Sequence, residues 1–336
     1  MGKAVFYPTG PLEVVANLHQ FLADEGWSID HYGDYTYSTY AGAQADAGLR
    51  LHASMDGLHL EVYGYAGACR PFGFSHVTSI ADGVALSLCT GFDAGGAWEL
   101  QPGSCRSHYG TGTGALISHA AEGGVLRLYS WAGRPHVAIV FERGAGAFQW
   151  LCWGRLDPFG MYAGGEYFCG SRSSQDYSVG PFVVGSQGSS SSFGSSFVRL
   201  DAEEFPDMAD TAGWLLPTPN GARRRVRWPL PGSDGGQVRS SSENKDLSLI
   251  YYTGLGGRPS SLLGLCPLLP VPAFGETGQE TNLWMPLGTV PDIRFVDMTS
   301  LTPGAEMPLG DDVWVCWPLL ARSDADARGL ALRVED

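Results

Sequence analysis

The sequence predicts a mainly β fold of the α+β class, in which antiparallel sheets form two β-rich lobes and carry one N-terminal amphipathic helix. Short runs rich in β-branched and aromatic residues recur along the chain, which is typical of strands. The separators between these runs contain glycine turns and lack the length and composition of the crossover helices that a parallel sheet requires. A single stretch has the clear apolar spacing of a helix.

That stretch is residues 11–25, PLEVVANLHQFLADE, where apolar side chains recur every three to four positions. Proline suits the first turn of a helix, and Gly26 stands where a helix commonly stops. We therefore predict a helix over residues 11–25 with one apolar face. Trp27 follows the stop and is expected to turn the chain back onto that face.

Two series of runs are predicted to be strands. In the first half of the chain they cover residues 34–40, 49–54, 58–65, 84–90, 125–131 and 136–142. In the second half they cover residues 247–252, 261–269, 293–298 and 313–319. Short turns such as Met55-Asp56-Gly57 separate them and favour antiparallel pairing.

Residues 148–171 hold two Trp, three Phe, two Tyr and two Cys. Aromatic side chains bury about 150–250 Å² each, so a segment this dense cannot lie on a soluble surface. We predict that it forms a buried strand, a corner and a second strand in the middle of a core.

The chain of 336 residues exceeds the usual size of one core. We expect an N-terminal helix and β domain over residues 1–178 and a C-terminal β-rich domain over residues 201–336. Between them, residues 179–200 are rich in Ser and Gly and are expected to form a linker or a surface loop.

The charge of the chain disfavours a nucleic-acid partner. The net charge is −14 and the isoelectric point is near 4.9, whereas binding to phosphate backbones depends on clustered Lys and Arg. The one positive strip comprises Arg223, Arg224, Arg225 and Arg227. These arginines are predicted to contact an acidic neighbour or a second copy of the chain. An ordinary solvated strand explains them equally well.

Seven cysteines without a CxxC pair are predicted to be reduced, buried thiols. The first 25 residues lack the apolar core of a signal peptide, and no window has the roughly 18 apolar residues of a membrane helix. We therefore expect the protein to fold in a cytoplasm and to have no membrane span.

No motif in the sequence compels a reaction. The GTGTG run at residues 110–114 lacks the spacing and the Lys of a phosphate loop, so a turn is favoured. Two pairs, Cys69 with His76 and Cys105 with His108, have spacings that a metal could use but lack the four paired ligands of a structural zinc. No serine-nucleophile motif is present. We expect no catalytic residue, no cofactor and no metal ligand.

Sugar chemistry is the remaining alternative. The carboxylate pairs Glu203-Glu204 and Asp311-Asp312 could serve glycoside hydrolysis, although solvated charge is the commoner explanation for such pairs. The many Trp and Tyr could stack against sugars, although most fall in strand-like runs where core packing is the default.

Residues 313–318, VWVCWP, are apolar at nearly every position, so both faces of this strand are expected to be buried. One face can pack on its own domain, while the other needs a second layer or a neighbouring subunit. Trp317 is predicted to be a core residue, and Trp314 is predicted to contact a partner.

Several stretches resemble virion structural proteins of tailed bacteriophages. The first resemblance is in the N-terminal half and comprises, in order, the helix ending in Gly26-Trp27, the stretches DYTYSTY and LHLEVYGYAG, and Trp98 followed by Gln-Pro-Gly. Residues 288–320 look like the C-terminal module of those proteins, with a strand, a Pro-Gly turn and a short strand ending in an aromatic-Pro pair. Residues 162–171 resemble their aromatic Tyr-Pro-Gly segment, although Ala163-Gly164-Gly165 replaces the prolines.

This resemblance implies a structural component of a tailed-phage virion, in the tail, baseplate or head–tail neck, assembled in the host cytoplasm. It would act by contacts with other virion proteins and copies of itself, and not as an enzyme. The alternatives are a carbohydrate-binding virion module that touches the host surface and, third, a glycan-degrading enzyme.

Overall fold

The computed structural model describes residues 1–35, 47–66, 83–89, 91–98, 101–102, 115–118, 123–143, 147–155, 157–158, 166–170, 182–184, 196–197, 214–217, 223–226, 262–264, 268–272, 282–286, 288–298, 300–318 and 328–334. These residues form antiparallel sheets and one helix, so the predicted mainly β fold is confirmed.

The elements up to residue 170 are β1 (Gly2–Phe6), α1 (Pro11–Asp24), β2 (Ser28–Asp34), β3 (Ala47–Met55), β4 (Leu58–Ala66), β5 (Gly83–Cys89), β6 (Ala115–Ser118), β7 (Val125–Ser130), β8 (Val137–Arg143), β9 (Ala147–Arg155), β10 (Asp157–Pro158) and β11 (Glu166–Gly170). The later elements are β12 (Phe182–Val184), β13 (Ser196–Phe197), β14 (Trp214–Pro217), β15 (Arg223–Val226), β16 (Leu262–Gly264), β17 (Leu268–Pro272), β18 (Asn282–Pro286), β19 (Gly288–Thr289), β20 (Ile293–Asp297), β21 (Ala305–Leu309), β22 (Asp312–Pro318) and β23 (Arg328–Val334).

The strands form three large sheets and three strand pairs. Sheet A has the order β1-β7-β8-β9-β11-β13, sheet B has the order β12-β6-β5-β4-β3-β2, and sheet C has the order β16-β20-β23-β22-β21. The pairs are β10 with β19, β14 with β15, and β17 with β18.

Helix α1 begins at Pro11 and ends at Asp24, within one residue of the prediction. Gly26 has a φ of +83°, a left-handed conformation that glycine adopts without the steric cost of a Cβ. The backbone N–H of Trp27 donates to the carbonyl of Leu22 at 2.9 Å, and the Trp27 side chain is buried in the core. The expected return of the chain onto the helix is confirmed.

One apolar core joins α1, sheet A and sheet B. The helix contributes Val14, Val15, Leu18, Phe21 and Leu22 to it. Sheet B contributes alternate residues of β3, β4 and β5, and sheet A contributes alternate residues of β7, β8 and β9. The helix therefore covers one face of sheet B, and the polar residues of the same strands lie on the opposite face.

Sheet C packs against the outer face of sheet A. The ring of Trp317 lies 5.9 Å from that of Phe148, and the Arg127 guanidinium lies 4.5 Å from its centroid. The indole Nε1 of Trp131 also donates to the carbonyl of Arg333 at 3.1 Å. Sheet A is thus covered by α1 and sheet B on one side and by sheet C on the other.

The other face of sheet C has its own apolar cluster. Its buried members are Val296, Met298, Trp314, Cys316 and Ala331. The five residues of β22 that end at Pro318 are all buried, so burial on both faces of this strand is confirmed.

The sequence patterns miss the first two strands. The prediction began at residue 34, whereas β2 ends there and its last residue, Asp34, pairs with Leu49; residues 36–40 lie outside the described residues. β1 and β2 contain Gly, Asp and Lys, which are depleted in strands, and pairing with β7 and β3 overrides that low propensity. The two strands predicted within residues 148–171 are confirmed by the pairing of β9 with β11, while residues 159–165, where the corner was predicted, lie outside the described residues.

The division at residues 179–200 stays a prediction. Two short strands within these residues, β12 and β13, pair with β6 and β11. In addition, β10 pairs with β19 across the proposed boundary.

Of the seven cysteines, Cys89, Cys152 and Cys316 are buried and form no disulfide, in agreement with the prediction for those three. Within the described ranges, no helix combines the length and apolar character that a membrane crossing requires.

Candidate functional site

Five ionisable side chains meet on the face of sheet B that points away from α1. Asp30 comes from β2, Arg50 and His52 from β3, and His59 and Glu61 from β4. We call them the His52–Glu61 cluster. Arg50, His52 and Glu61 are almost completely buried, while Asp30 is exposed and His59 is half-buried. The cluster therefore runs from the interior of the protein to its surface.

The β3–β4 hairpin fixes the spacing of the cluster. Asp56 and Gly57 both have positive φ, at 50° and 77°, which is the signature of a two-residue type I′ turn. The resulting register places His52 directly opposite Glu61 and Ser54 opposite His59. Side chains on directly opposed and diagonal positions of one face touch, so the turn brings the two histidines and Glu61 together.

An irregularity in the pairing of β2 with β3 places Asp30 in the cluster. The register of β2 on β3 shifts between Ile29 and His31, which leaves Asp30 as the extra residue of a bulge. Its carboxylate accepts hydrogen bonds from the hydroxyls of Ser54 at 2.8 Å and Ser28 at 3.2 Å. The bulge therefore directs a carboxylate toward the same face as the histidines.

Glu61 is the centre of the buried end. Nε of Arg50 donates to one carboxylate oxygen, and Nδ1 of His52 lies in hydrogen-bond contact with the other. Arg50 also donates through Nη1 to the carbonyl of Gly96 at 3.0 Å. A buried carboxylate is costly unless it is paired and hydrogen-bonded, and both conditions are met here.

The exposed end of the cluster contains three ligand-type atoms. Nε2 of His52 lies 3.0 Å from Nδ1 of His59 and 3.7 Å from Oδ2 of Asp30. Burial, and next the neighbouring His52, lowers the pKa of His59 from its ordinary value. Burial, and next Arg50, also lowers the pKa of the nearby His31. The neutral forms of His31 and His59 are therefore favoured at neutral pH.

Residues 91–98 and 101–102 cover the buried end. The Phe92 ring lies 4.5 Å from the His52 ring and 5.6 Å from the Arg50 guanidinium. The buried side chain of Gln101 holds residues 93–97 in place, since its amide donates to the carbonyls of Asp93, Gly96 and Ala97 at 3.0–3.2 Å. Water is thereby kept from the Arg50 end, while the Asp30 end stays open.

Two trios in this region have metal-ligand geometry, with their ligand atoms within 4.8 Å of one another. One is Asp30, His52 and His59, and the other is His52, Glu61 and Cys89. In the second trio all three residues are buried, and both oxygens of Glu61 are already engaged by Arg50 and His52. The first trio opens to solvent at the exposed Asp30.

The residues predicted from the sequence to bind partners lie elsewhere. Trp314 is 2% exposed and packs in the outer cluster of sheet C, with the Arg294 guanidinium 4.7 Å from its ring. The backbone of Arg223, Arg224 and Arg225 forms β15, while Arg227 and the positions of these side chains lie outside the described residues. Partner binding by these residues stays a prediction.

The proposed Cys-His pairs, Cys69 with His76 and Cys105 with His108, lie outside the described residues, as do the GTGTG run and the Glu203-Glu204 pair. Asp311 and Asp312 are described. Asp312 is a half-exposed residue of β22 in contact with Nη1 of Arg333 at 3.5 Å.

Sequence reasoning missed the His52–Glu61 cluster because its members come from three strands. The signal was nonetheless present, since the Asp56-Gly57 turn between two alternating runs implies the pairing of His52 with Glu61. Asp30 had no such signal, because it depends on a bulge in a strand that the pattern did not predict.

In comparisons with known proteins, no family model matches this chain and no curated protein matches it significantly.

Proposed function

We propose that the protein is a structural component of a tailed-phage virion, in the tail, baseplate or neck, and that it acts through contacts with other virion proteins and with copies of itself. In this proposal the protein takes part in assembly of the virion and does not catalyse a reaction. The supporting observation is the location of the large apolar side chains that are exposed in the described part of the chain.

Four such side chains are exposed, and all lie on or beside strands at the rims of the three large sheets. They are Val5 at 42%, Tyr7 at 74%, Tyr32 at 40% and Leu309 at 49%. Among the described strands, β1, β2 and β21 each form one of the two edges of sheets A, B and C, respectively. An edge strand offers unpaired backbone N–H and C=O groups, and apolar side chains beside it add contact area for an incoming strand or subunit.

β1 is the most favourable of these edges. Ala4 and Phe6 pack toward the core, while Val5 points outward and Tyr7 follows the strand. No described strand pairs with the outer side of β1. β21 is less favourable because Pro308 lacks an N–H, and prolines on edge strands block strand addition. We therefore assign the principal subunit contact to β1.

The test uses particles purified from cells infected with the phage that carries the gene. Quantitative mass spectrometry should find the chain in a fixed number of copies per particle. The double variant Val5→Glu, Tyr7→Ser, supplied in trans, should enter particles about tenfold less often, because charge at the centre of an apolar contact removes binding energy. Its melting temperature should change little, because both side chains are on the surface.

Leu309→Glu is the matched control, since it places the same charge on an exposed edge that Pro308 already blocks, and it should be incorporated normally. Absence of the chain from particles would overturn the proposal. Normal incorporation of the double variant would show that β1 is not the contact.

A glycan array with a turnover assay tests the alternatives: binding without cleavage favours a host-surface module, and cleavage favours a glycan-degrading enzyme.

A further inference from the structure

His52 presents its second ring nitrogen at the open end of the His52–Glu61 cluster. Nδ1 of His52 is in hydrogen-bond contact with Glu61, which leaves Nε2 to face the exposed end. Oδ2 of Asp30 lies 3.7 Å from Nε2, and Nδ1 of His59 lies 3.0 Å from it. The three atoms lie within 4.8 Å of one another, so one ion can contact all three.

We propose that Asp30, His52 and His59 bind one divalent transition-metal ion, and that zinc fits the site. The donors are two imidazoles and one carboxylate, which are established ligand types for zinc. Bonds of about 2.0–2.2 Å to one ion place its ligands roughly 3.0–3.6 Å apart. Of the two separations, 3.0 Å lies at the lower end of that range and 3.7 Å lies just above its upper end.

The surroundings of His52 match those of a metal-binding histidine. Such a histidine usually donates its second ring N–H to a carboxylate, which fixes the tautomer and the ring orientation. Glu61 occupies that position, and Arg50 holds Glu61 on its other oxygen. Arg50 already pairs with Glu61, so the carboxylate of Asp30 is the one that can offset part of the charge of the ion.

The three ligands come from three neighbouring strands, so the ion would fasten β2, at the rim of sheet B, to the β3–β4 hairpin. Asp30 is exposed, which leaves at least one coordination position for water or for a side chain of a neighbouring protein. This inference does not rest on the proposed virion role, and it would hold for a protein with any other function.

The experiment titrates zinc into the full chain after treatment with a chelator, with calorimetry as the readout and cobalt as a spectroscopic probe. The wild-type protein should bind one ion per chain, gain a cobalt d–d absorption band and melt at a higher temperature with zinc. His59→Asn and Asp30→Asn should each weaken binding by at least about tenfold, the scale of loss seen even for outer-shell partners. Both positions are accessible to solvent, so the variants should fold.

His19→Gln is the matched control, because His19 lies on α1 and stacks on Tyr32, outside the cluster. It should bind zinc as the wild type does. Failure of the wild-type chain to bind zinc stoichiometrically would overturn the proposal. Binding that persists unchanged in the Asp30→Asn, His59→Asn double variant would also overturn it, because the ion would then sit elsewhere in the chain.

Discussion

His136 is a histidine that the fold keeps neutral. It is buried, and its ring lies 4.4 Å from that of Trp131. Burial, and next the neighbouring Arg134, lowers the pKa of His136 from 6.5 to about 3. The unfolded chain takes up a proton near pH 6.5, whereas the folded chain does so only near pH 3. The free energy of unfolding should therefore fall as the pH drops through this window.

Between about pH 7 and about pH 5 the loss due to His136 should be roughly 2 kcal/mol, since each pH unit in the window is worth about 1.4 kcal/mol. Urea unfolding at several pH values measures it. His136→Phe keeps a ring beside Trp131 but cannot be protonated, so its stability should depend less on pH over the same range. His19→Gln should keep the wild-type pH dependence. Equal slopes for the wild type and His136→Phe would contradict the assignment.

Single residues show what the sequence can and cannot predict. The register of His52 against Glu61 follows from a two-residue turn that can be recognised in the sequence, because turn type determines pairing. The burial of His136 and the position of Asp30 do not follow, because the first depends on tertiary contacts such as that with Trp131 and the second on a bulge. Local patterns carry no information about either.

Among the elements, α1 and β4 approach each other closely because Gly64 has no side chain. A Cβ at this position would lie 2.6 Å from Cγ2 of Val15 and 3.1 Å from the carbonyl oxygen of Pro11. Val15 is stiff and the Pro11 oxygen is part of the backbone, so neither can move without shifting the helix. Gly64→Ala should therefore lower the free energy of unfolding by roughly 1–3 kcal/mol.

Gly33→Ala in β2 is the matched comparison, because a Cβ there would meet nothing within 4 Å. It should be neutral or slightly stabilising, since alanine loses less backbone entropy than glycine in a strand. Denaturant melts of both variants measure the difference. Equal stability of the two alanine variants would show that α1 is free to shift on sheet B.

The helix was predictable and the first two strands were not, for related reasons. α1 has its own signals in Pro11, Gly26 and a regular apolar face. β1 is instead positioned by its pairing with β7, which lies more than a hundred residues later in the chain. Its five residues therefore need no strong strand pattern in their own sequence. Elements determined by local chemistry can be predicted from the sequence, and elements determined by distant partners cannot.

On the scale of the whole molecule, Trp317 connects sheet C to sheet A. It is 6% exposed and contacts Phe148 and Arg127 of sheet A. Trp317→Ala should cost roughly 3–5 kcal/mol, because it leaves a cavity between two sheets. Chemical denaturation with fluorescence and circular dichroism as separate probes measures this loss, and a fully stable variant would contradict a core role.

Trp314→Ala separates the two roles considered for that residue. Because Trp314 is 2% exposed, its replacement should also destabilise the isolated chain. A variant that instead folds with wild-type stability and fails to enter particles would support the predicted partner contact. Leu309→Glu, on the same sheet but exposed, should leave stability nearly unchanged.

The position of β23 has a further consequence. This strand lies between β20 and β22 in sheet C, although it follows both of them in the chain. Deletion of residues 328–336 would therefore remove the middle of the sheet and leave β20 and β22 facing one another across a slot roughly 10 Å wide, twice the usual strand spacing. A slot of that width accepts one extended segment, so the shortened chain would be open to strand donation from another molecule.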